Sequence, residues 1–106
     1  MRTRFAIALA AAVLALAAGV IAAPAPQKLE IHQFKFLPPS LSVAPGTTVT
    51  WVNQDEETHT VTSATGAFAS TALEHDGKFT HTFSAPGTYT YFCALHPLMR
   101  AAVVVK

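Results

Sequence analysis

The sequence predicts an all-β domain of about seven to eight short strands, packed as two sheets face to face in a sandwich or flattened barrel. Three observations predict it. From Gln27 onward the chain is rich in Val, Thr, Phe and Tyr, residues that fit a pleated, half-buried surface. Pro and Gly punctuate it at short intervals, at Pro38-Pro39, Pro45-Gly46, Gly66, Gly77 and Pro86-Gly87, which marks turns. Apolar residues recur with a period of two, and no segment carries a 3.6-residue stripe.

In chain order, residues 1–23 stand apart. Arg2 and Arg4 precede an uninterrupted apolar stretch in which ten of the nineteen residues from Phe5 to Ala23 are Ala, with small residues at Val20, Ala22, Ala23 and Ala25. This is the pattern of a secretory signal peptide, cleaved near residue 23. Nineteen apolar residues approach the ~20 that span a bilayer, but alanine contributes little transfer free energy, so cleavage is expected over a retained anchor. Thr3 separates the two arginines, so a Sec-type export of the unfolded chain is expected rather than a twin-arginine route. The mature domain, residues 24–106, is then periplasmic, with no stable membrane association once processed.

Period-two alternation marks Lys28 to His32, Thr48 to Val52 and Lys78 to Phe83 as strands, and Ser40 to Val43, His59 to Ser63, Thr88 to Phe92 and Ala101 to Lys106 are further candidate strands. Thr65 to Asp76 reads as the least ordered stretch. The expected core is Trp51, Phe34, Phe36, Phe79, Phe83, Tyr89, Tyr91, Ile31 and the run Val103 to Val105. A domain of this size holds little core, so a bound metal would add stability by mass action.

Beyond residue 23 there are five basic and six acidic residues, a net charge of −1. Nucleic acid is excluded as a partner, since phosphate binding needs clustered Lys and Arg. Cys93 is the single cysteine, so no intrachain disulfide forms. A lone exported thiol is open to oxidation unless it is buried or bound. Simple burial is the ordinary fate of such a residue, but its neighbours argue for a metal.

The chain reads Cys93-Ala94-Leu95-His96-Pro97-Leu98-Met99, a thiolate, an imidazole and a thioether at C-x2-H-x2-M spacing. Two residues between successive donors let one curled loop aim all three at a point, and Pro97 keeps that loop from continuing as a regular strand or helix. A fourth donor is available in His59, 34 residues before Cys93, at the start of a neighbouring strand. Two imidazoles and a thiolate with a weak thioether suit copper in both oxidation states. Structural zinc prefers four strong ligands, and catalytic zinc keeps an open position. A closed, redox-active copper leaves outer-sphere electron transfer as its chemistry. His32, His75 and His81 read as surface residues.

With these residues in place the chain resembles the cupredoxins, the blue copper proteins. The segment Cys93 to Arg100 is most similar to the ligand loop of amicyanins and plastocyanin-like members. The likeness extends to Phe36-Leu37-Pro38, to Pro45-Gly46-Thr47-Thr48-Val49-Thr50-Trp51-Val52-Asn53, to His59-Thr60-Val61 and to Pro86-Gly87-Thr88-Tyr89. The resemblance implies a Greek-key β-sandwich holding one type 1 copper ion through His59, Cys93, His96 and, axially, Met99. Two departures stand out. Thr60 occupies the position after the upstream ligand where the family usually has Asn, a shorter arm for clamping the ligand loop. Amicyanins also carry a longer N-terminal extension and often Gly where Ala101 stands, so a methylamine dehydrogenase partner is not carried over.

The function expected is that of a periplasmic carrier of single electrons, a monomer and not an enzyme. Leu95, Pro97 and Leu98 surround His96, and Leu37, Pro38 and Pro39 are expected on an adjacent loop. Such an apolar patch suits brief docking of a redox partner, a c-type cytochrome or a periplasmic dehydrogenase, near His96. Phe92 is expected to point away from the site as an exposed aromatic, a second route for the electron. Asp55-Glu56-Glu57 reads as a solvated turn, with electrostatic steering as its alternative. A copper-binding protein for transport or resistance is the rival reading, weakened because the mature chain has a single Met and no His-rich tract. A cysteine hydrolase using Cys93 and His96 lacks an orienting third group.

Overall fold

The computed structural model describes residues 22–106. The expected leader, save for Ala22 and Ala23, lies outside the described residues. Eight strands follow in order: β1 (Gln27–His32), β2 (Lys35–Leu37), β3 (Ser40–Val43), β4 (Thr47–Asn53), β5 (Thr62–Ser63), β6 (Lys78–Phe83), β7 (Gly87–Cys93) and β8 (His96–Val105). They form two four-stranded sheets, ordered β2-β1-β4-β6 and β3-β8-β7-β5. The chain changes sheet at every connection from β2 to β7, as the Greek-key sandwich expected from the sequence requires. Both sheets are mixed, since β1 pairs with β4 and β3 with β8 in parallel.

The inner faces are set by period two. On β4, Thr47, Val49, Trp51 and Asn53 point inward and are buried. The alternate residues Thr48 and Thr50 pair outside with Thr82 and Thr80 of β6, hydroxyl to hydroxyl at 2.9 Å, a cross-strand contact that also fixes register. Trp51 lies at the centre, its ring against Phe68, Phe79, Phe83 and Tyr91. Burial pushes the Tyr91 hydroxyl up to about 12, so it stays neutral.

Several expectations need correction. Phe34 is not core: it is 42% exposed and sits in the two-residue turn joining β1 to β2, a strand the sequence reading did not separate. Val104 is half-buried on the outer side of β8. Phe68 and Leu73, from the stretch read as least ordered, are buried. That stretch is tied down by bridges pairing His59 with Leu73 and Thr62 with Ala69. The strand expected from His59 to Ser63 therefore shrinks to Thr62–Ser63, because His59 pairs with the long loop rather than with a sheet. His81 is half-buried, its ring against Phe68 and Phe83 at 4.9 and 4.8 Å. It shares the parity of Phe79 and Phe83 on β6, so alternation turns it inward.

Pro97 also behaves differently from expectation, for β8 begins at His96 and runs through it. Pairing with β7 is regular from Gly87↔Val105 to Phe92↔Arg100 and then jumps to Cys93↔His96. Pro97, Leu98 and Met99 bulge out without a β7 partner, which is where a sheet tolerates a residue with no N–H to donate.

Candidate metal centre

The hairpin joining β7 to β8 places Cys93 and His96 opposite each other across a two-residue turn, Ala94-Leu95. The Cys93 Sγ is 3.6 Å from His96 Nδ1 and 3.7 Å from His59 Nδ1. The donor atoms of His59, Cys93 and His96 all lie within 4.8 Å of one another. His59 and Cys93 are fully buried, while His96 is half-buried at the surface. Met99 is buried in the adjoining bulge and lines the same surface hollow as His96.

His59 arrives by a separate route. It follows a loop organised by the buried Asn53, whose side-chain amide donates to the carbonyls of Glu57 and Leu73 at 2.8 and 2.9 Å. The Asn53 Oδ1 in turn accepts the Asp55 N–H at 2.9 Å. His59 then exchanges backbone hydrogen bonds with Leu73, at 3.1 and 2.7 Å. The loop that bears His59 is thereby tied to the sandwich.

Around the donors lies a set of contacts invisible to motif reading. Asp55, expected in a solvated turn, is 8% exposed, whereas Glu56 and Glu57 are exposed as expected. Its Oδ2 lies 2.8 Å from His59 Nε2. The same carboxylate accepts the N–H groups of Gln33 at 2.6 Å and Phe34 at 2.9 Å. Burial pushes its pKa up, but the Phe34 and Gln33 N–H groups and the His59 ring outweigh this and hold the carboxyl below its ordinary range. An ionised carboxylate only accepts, so the His59 Nε2–H donates to it and Nδ1 is the ring nitrogen that faces Cys93.

The Thr60 N–H points at Cys93 Sγ from 3.4 Å. Thr60 Oγ1 accepts the Ala94 N–H at 2.7 Å, so the shorter side chain does reach the ligand loop. Phe34 stands edge-on to both imidazoles, with ring centroids 5.0 Å from His59 and 5.0 Å from His96. Phe34, Leu95, His96, Pro97, Leu98 and Met99 line an open apolar hollow of about 510 Å³. Leu98 is 95% exposed and Leu95 55%. Leu37 and Pro39 line an adjoining hollow with Phe34 and Leu98, which extends the apolar patch expected around His96. Phe92 is half-buried rather than exposed.

Sequence reasoning missed Asp55 and Phe34. The signal for Asp55 was an acid four residues before a histidine in a turn. Phe34 gave none, since Gln33-Phe34 does not resemble the Asn-Gly of a two-residue hairpin.

The donor set fits copper. Metal–ligand bonds of about 2.0–2.3 Å meeting near 120° separate their donor atoms by about 3.7 Å, the spacing found between Cys93 Sγ and each Nδ1. His32, by contrast, is exposed, and His75 lies on the surface among Glu56 and Asp76; neither joins the cluster.

Comparison with known proteins agrees with the geometry. Residues 25–106 match the family described as copper binding proteins, plastocyanin/azurin family. The chain is similar to an amicyanin from Paracoccus denitrificans, 36% identical over 83 residues, covering 74% of this chain and 63% of that protein. It is also similar to amicyanin-alpha from Methylorubrum extorquens, 37% identical over 114 residues and 96% of each. It thus spans somewhat less than two thirds of the Paracoccus protein. Among solved structures, the reduced Cu(I) form of an amicyanin variant superposes with a TM-score of 0.73 at 33% identity, over 85% of this chain and 89% of that one. A purple cupredoxin from Nitrosopumilus maritimus gives 0.71 at 30% identity, over 76% and 99%. A copper-containing nitrite reductase from Thermus scotoductus gives 0.74 at 28% identity, but the match covers 88% of this chain and 26% of that one. It is therefore a likeness to part of that larger chain.

Proposed function

Because the chain belongs to the plastocyanin/azurin family of copper-binding proteins, we propose that it is a periplasmic electron carrier in which His59, Cys93 and His96 would hold one copper ion, with Met99 as a fourth and weaker ligand. Bound copper supplies reversible one-electron chemistry between its two common oxidation states. The carrying observation is the preassembled donor set, with Sγ-to-Nδ1 spacings of 3.7 and 3.6 Å in a sandwich core and one imidazole at the surface.

The chain's own residues account for the rest. Asn53, Asp55 and Thr60 hold the two donor-bearing loops, so the ligands need little rearrangement when the metal's charge changes. Cys93 lies within the core, away from water and oxidants. His96 reaches the apolar hollow, where Leu95 and Leu98 offer a surface for brief contact with a partner redox protein such as a c-type cytochrome or a dehydrogenase. An open, mainly apolar surface of this kind suits fast release, and Lys35 and Arg100 flank it in the adjoining hollow.

Residues 1–23 act in this reading as a cleaved export signal, and 24–106 as the working domain, a monomer. Periplasmic fractions should yield a chain whose mass lacks about the first 23 residues; a full-length, membrane-bound product would count against it. The decisive test is the visible spectrum of the mature chain with one equivalent of Cu(II). An intense band near about 600 nm that bleaches with ascorbate supports the carrier. A pale spectrum would overturn it and favour copper as cargo.

A further inference from the structure

The β1–β2 turn and the metal centre meet at a single side chain. Gln33 and Phe34 adopt φ of 53° and 59°, a left-handed conformation that is costly for a non-glycine residue. The hairpin turn that needs both values positive normally recruits Asn-Gly. Here neither residue is suited to it, and both N–H groups are instead gathered by the two oxygens of Asp55. The Asp55 oxygen that takes the Phe34 N–H also sits 2.8 Å from His59 Nε2. The Asp55 backbone is itself pinned by Asn53, so the carboxylate is a fixed point rather than a mobile arm.

We propose that Asp55 is the positioning residue of the metal centre, one carboxylate that fixes the tautomer and orientation of His59 and seats the Phe34 ring against both imidazoles. This rests on the electron-carrier reading for its purpose, though not for its geometry. Two consequences follow. A carboxylate behind a metal-binding imidazole raises the ligand's basicity and adds negative charge close to the metal, which favours the more oxidised ion and lowers the midpoint potential. The same carboxylate makes the Phe34 edge a rigid part of the mouth around His96, because releasing it frees the strained turn. Glu56, the next residue, carries the same charge but is exposed and approaches His75 rather than His59, while the hydrogen bonds to Gln33, Phe34 and His59 come from Asp55, which makes it the matched control.

The test uses the mature chain and the variants Asp55→Asn and Glu56→Gln. In metal-free, ¹⁵N-labelled wild type, two-bond proton–nitrogen correlations should show His59 protonated at Nε2 alone. In Asp55→Asn they should show a mixture or the Nδ1 form. With Cu(II) added, Asp55→Asn should bind about 10–100-fold more weakly and show a raised midpoint potential, while Glu56→Gln should match wild type in both. His59 protonated at Nδ1 in wild type overturns the proposal, as does an Asp55→Asn variant with unchanged His59 signals and potential. Should Asp55→Asn fail to fold, the wild-type tautomer decides, and adding Gln33→Gly to the variant relaxes the turn. A wild-type chain without the band near about 600 nm would sink the carrier reading; the metal-free tautomer judges Asp55 separately.

Discussion

The amide of Ala94 donates to Thr60 Oγ1 at 2.7 Å across the gap between the two donor-bearing loops. Thr60 thereby does twice what its neighbourhood needs, since its own N–H also points at Cys93 Sγ. The same hydroxyl contacts Thr62 Oγ1 at 2.9 Å, which ties it to the start of β5. A side chain that looks too short in the sequence reaches because β5 and β7 are paired neighbours at Thr62↔Phe92, one residue from the ligand turn.

Thr60→Val keeps the shape and removes the acceptor. A hydrogen bond of this kind contributes about 0.5–1.5 kcal/mol, so the melting temperature should fall by roughly 2–12 °C. The Ala94 amide should exchange with solvent about tenfold faster, and copper should leave faster, while the position of the visible band stays put because the backbone N–H to Cys93 remains. Unchanged exchange at Ala94 would show that the clamp lies elsewhere.

Cys93→Ala separates fold from metal chemistry. The residue is fully buried at the edge of the hydrophobic core, with its sulfur facing the two imidazoles, and removing one sulfur from such a site costs about 1–2 kcal/mol. The metal-free variant should therefore fold, with a melting temperature roughly 4–16 °C lower. With Cu(II) it should show no intense band near about 600 nm, since no thiolate remains. A retained band would remove Cys93 from the site.

Two histidines outside the metal cluster should pull stability in opposite directions with pH. Burial lowers the pKa of His81, so the unfolded chain takes up this proton first. Its effect is a loss of stability as pH falls from about 6.5 through the lower folded value. The pKa of His75 is raised, chiefly by its hydrogen bond to the Asp55 carbonyl. Its contribution is complete below about 6.5 and is lost as pH rises through the higher folded value. Urea midpoints of metal-free chains from about pH 5 to 8 should show less acid loss in His81→Gln and more in His75→Gln. The same slope in all three chains would refute both assignments.

What could be read in advance depended on whether a feature is local. Lys78 to Phe83 is a strand at the boundaries its alternation marks, because period two in a half-buried strand is written in consecutive residues, and Ser40 to Val43 is a strand at its expected boundaries between turn-forming prolines. The nearness of Cys93 to His96 is likewise local, carried by a two-residue turn. Asp55, Phe34, Phe68 and Leu73 were misplaced for a common reason: their surroundings come from segments far away in sequence. Asp55 is buried because a turn 21 residues upstream folds over it, and no pattern around Asn53 to Glu57 announces that. Phe34 has the apolarity of a core residue, but the turn rotates it out to the site mouth. Pro97 broke the expectation of an irregular loop because a bulge lets a strand carry a residue that cannot donate.

The strain at Gln33 is itself testable. Gln33→Gly relieves a left-handed residue worth roughly 1–2 kcal/mol but adds freedom to the unfolded chain worth roughly 0.5–1. A net gain of about 0–1.5 kcal/mol in stability is expected from these ranges, read from urea midpoints. A loss larger than about 1 kcal/mol would mean that the Gln33 side chain contributes something beyond its backbone.

Leu98 tests the docking surface with little risk to the fold. At 95% exposure it holds no core contact, so Leu98→Asp should alter stability by less than about 0.5 kcal/mol and leave the visible spectrum unchanged. If partners and second copies approach through the apolar hollow at His96, a charge there must be desolvated in every encounter. Electron exchange, between copies or with a cytochrome, should slow about five- to thirtyfold, equivalent to about 1–2 kcal/mol of docking free energy. Glu57→Lys, a charge change on the acidic turn before His59, supplies the contrast. A rate that responds to Glu57→Lys and ignores Leu98→Asp would move the electron's route away from His96.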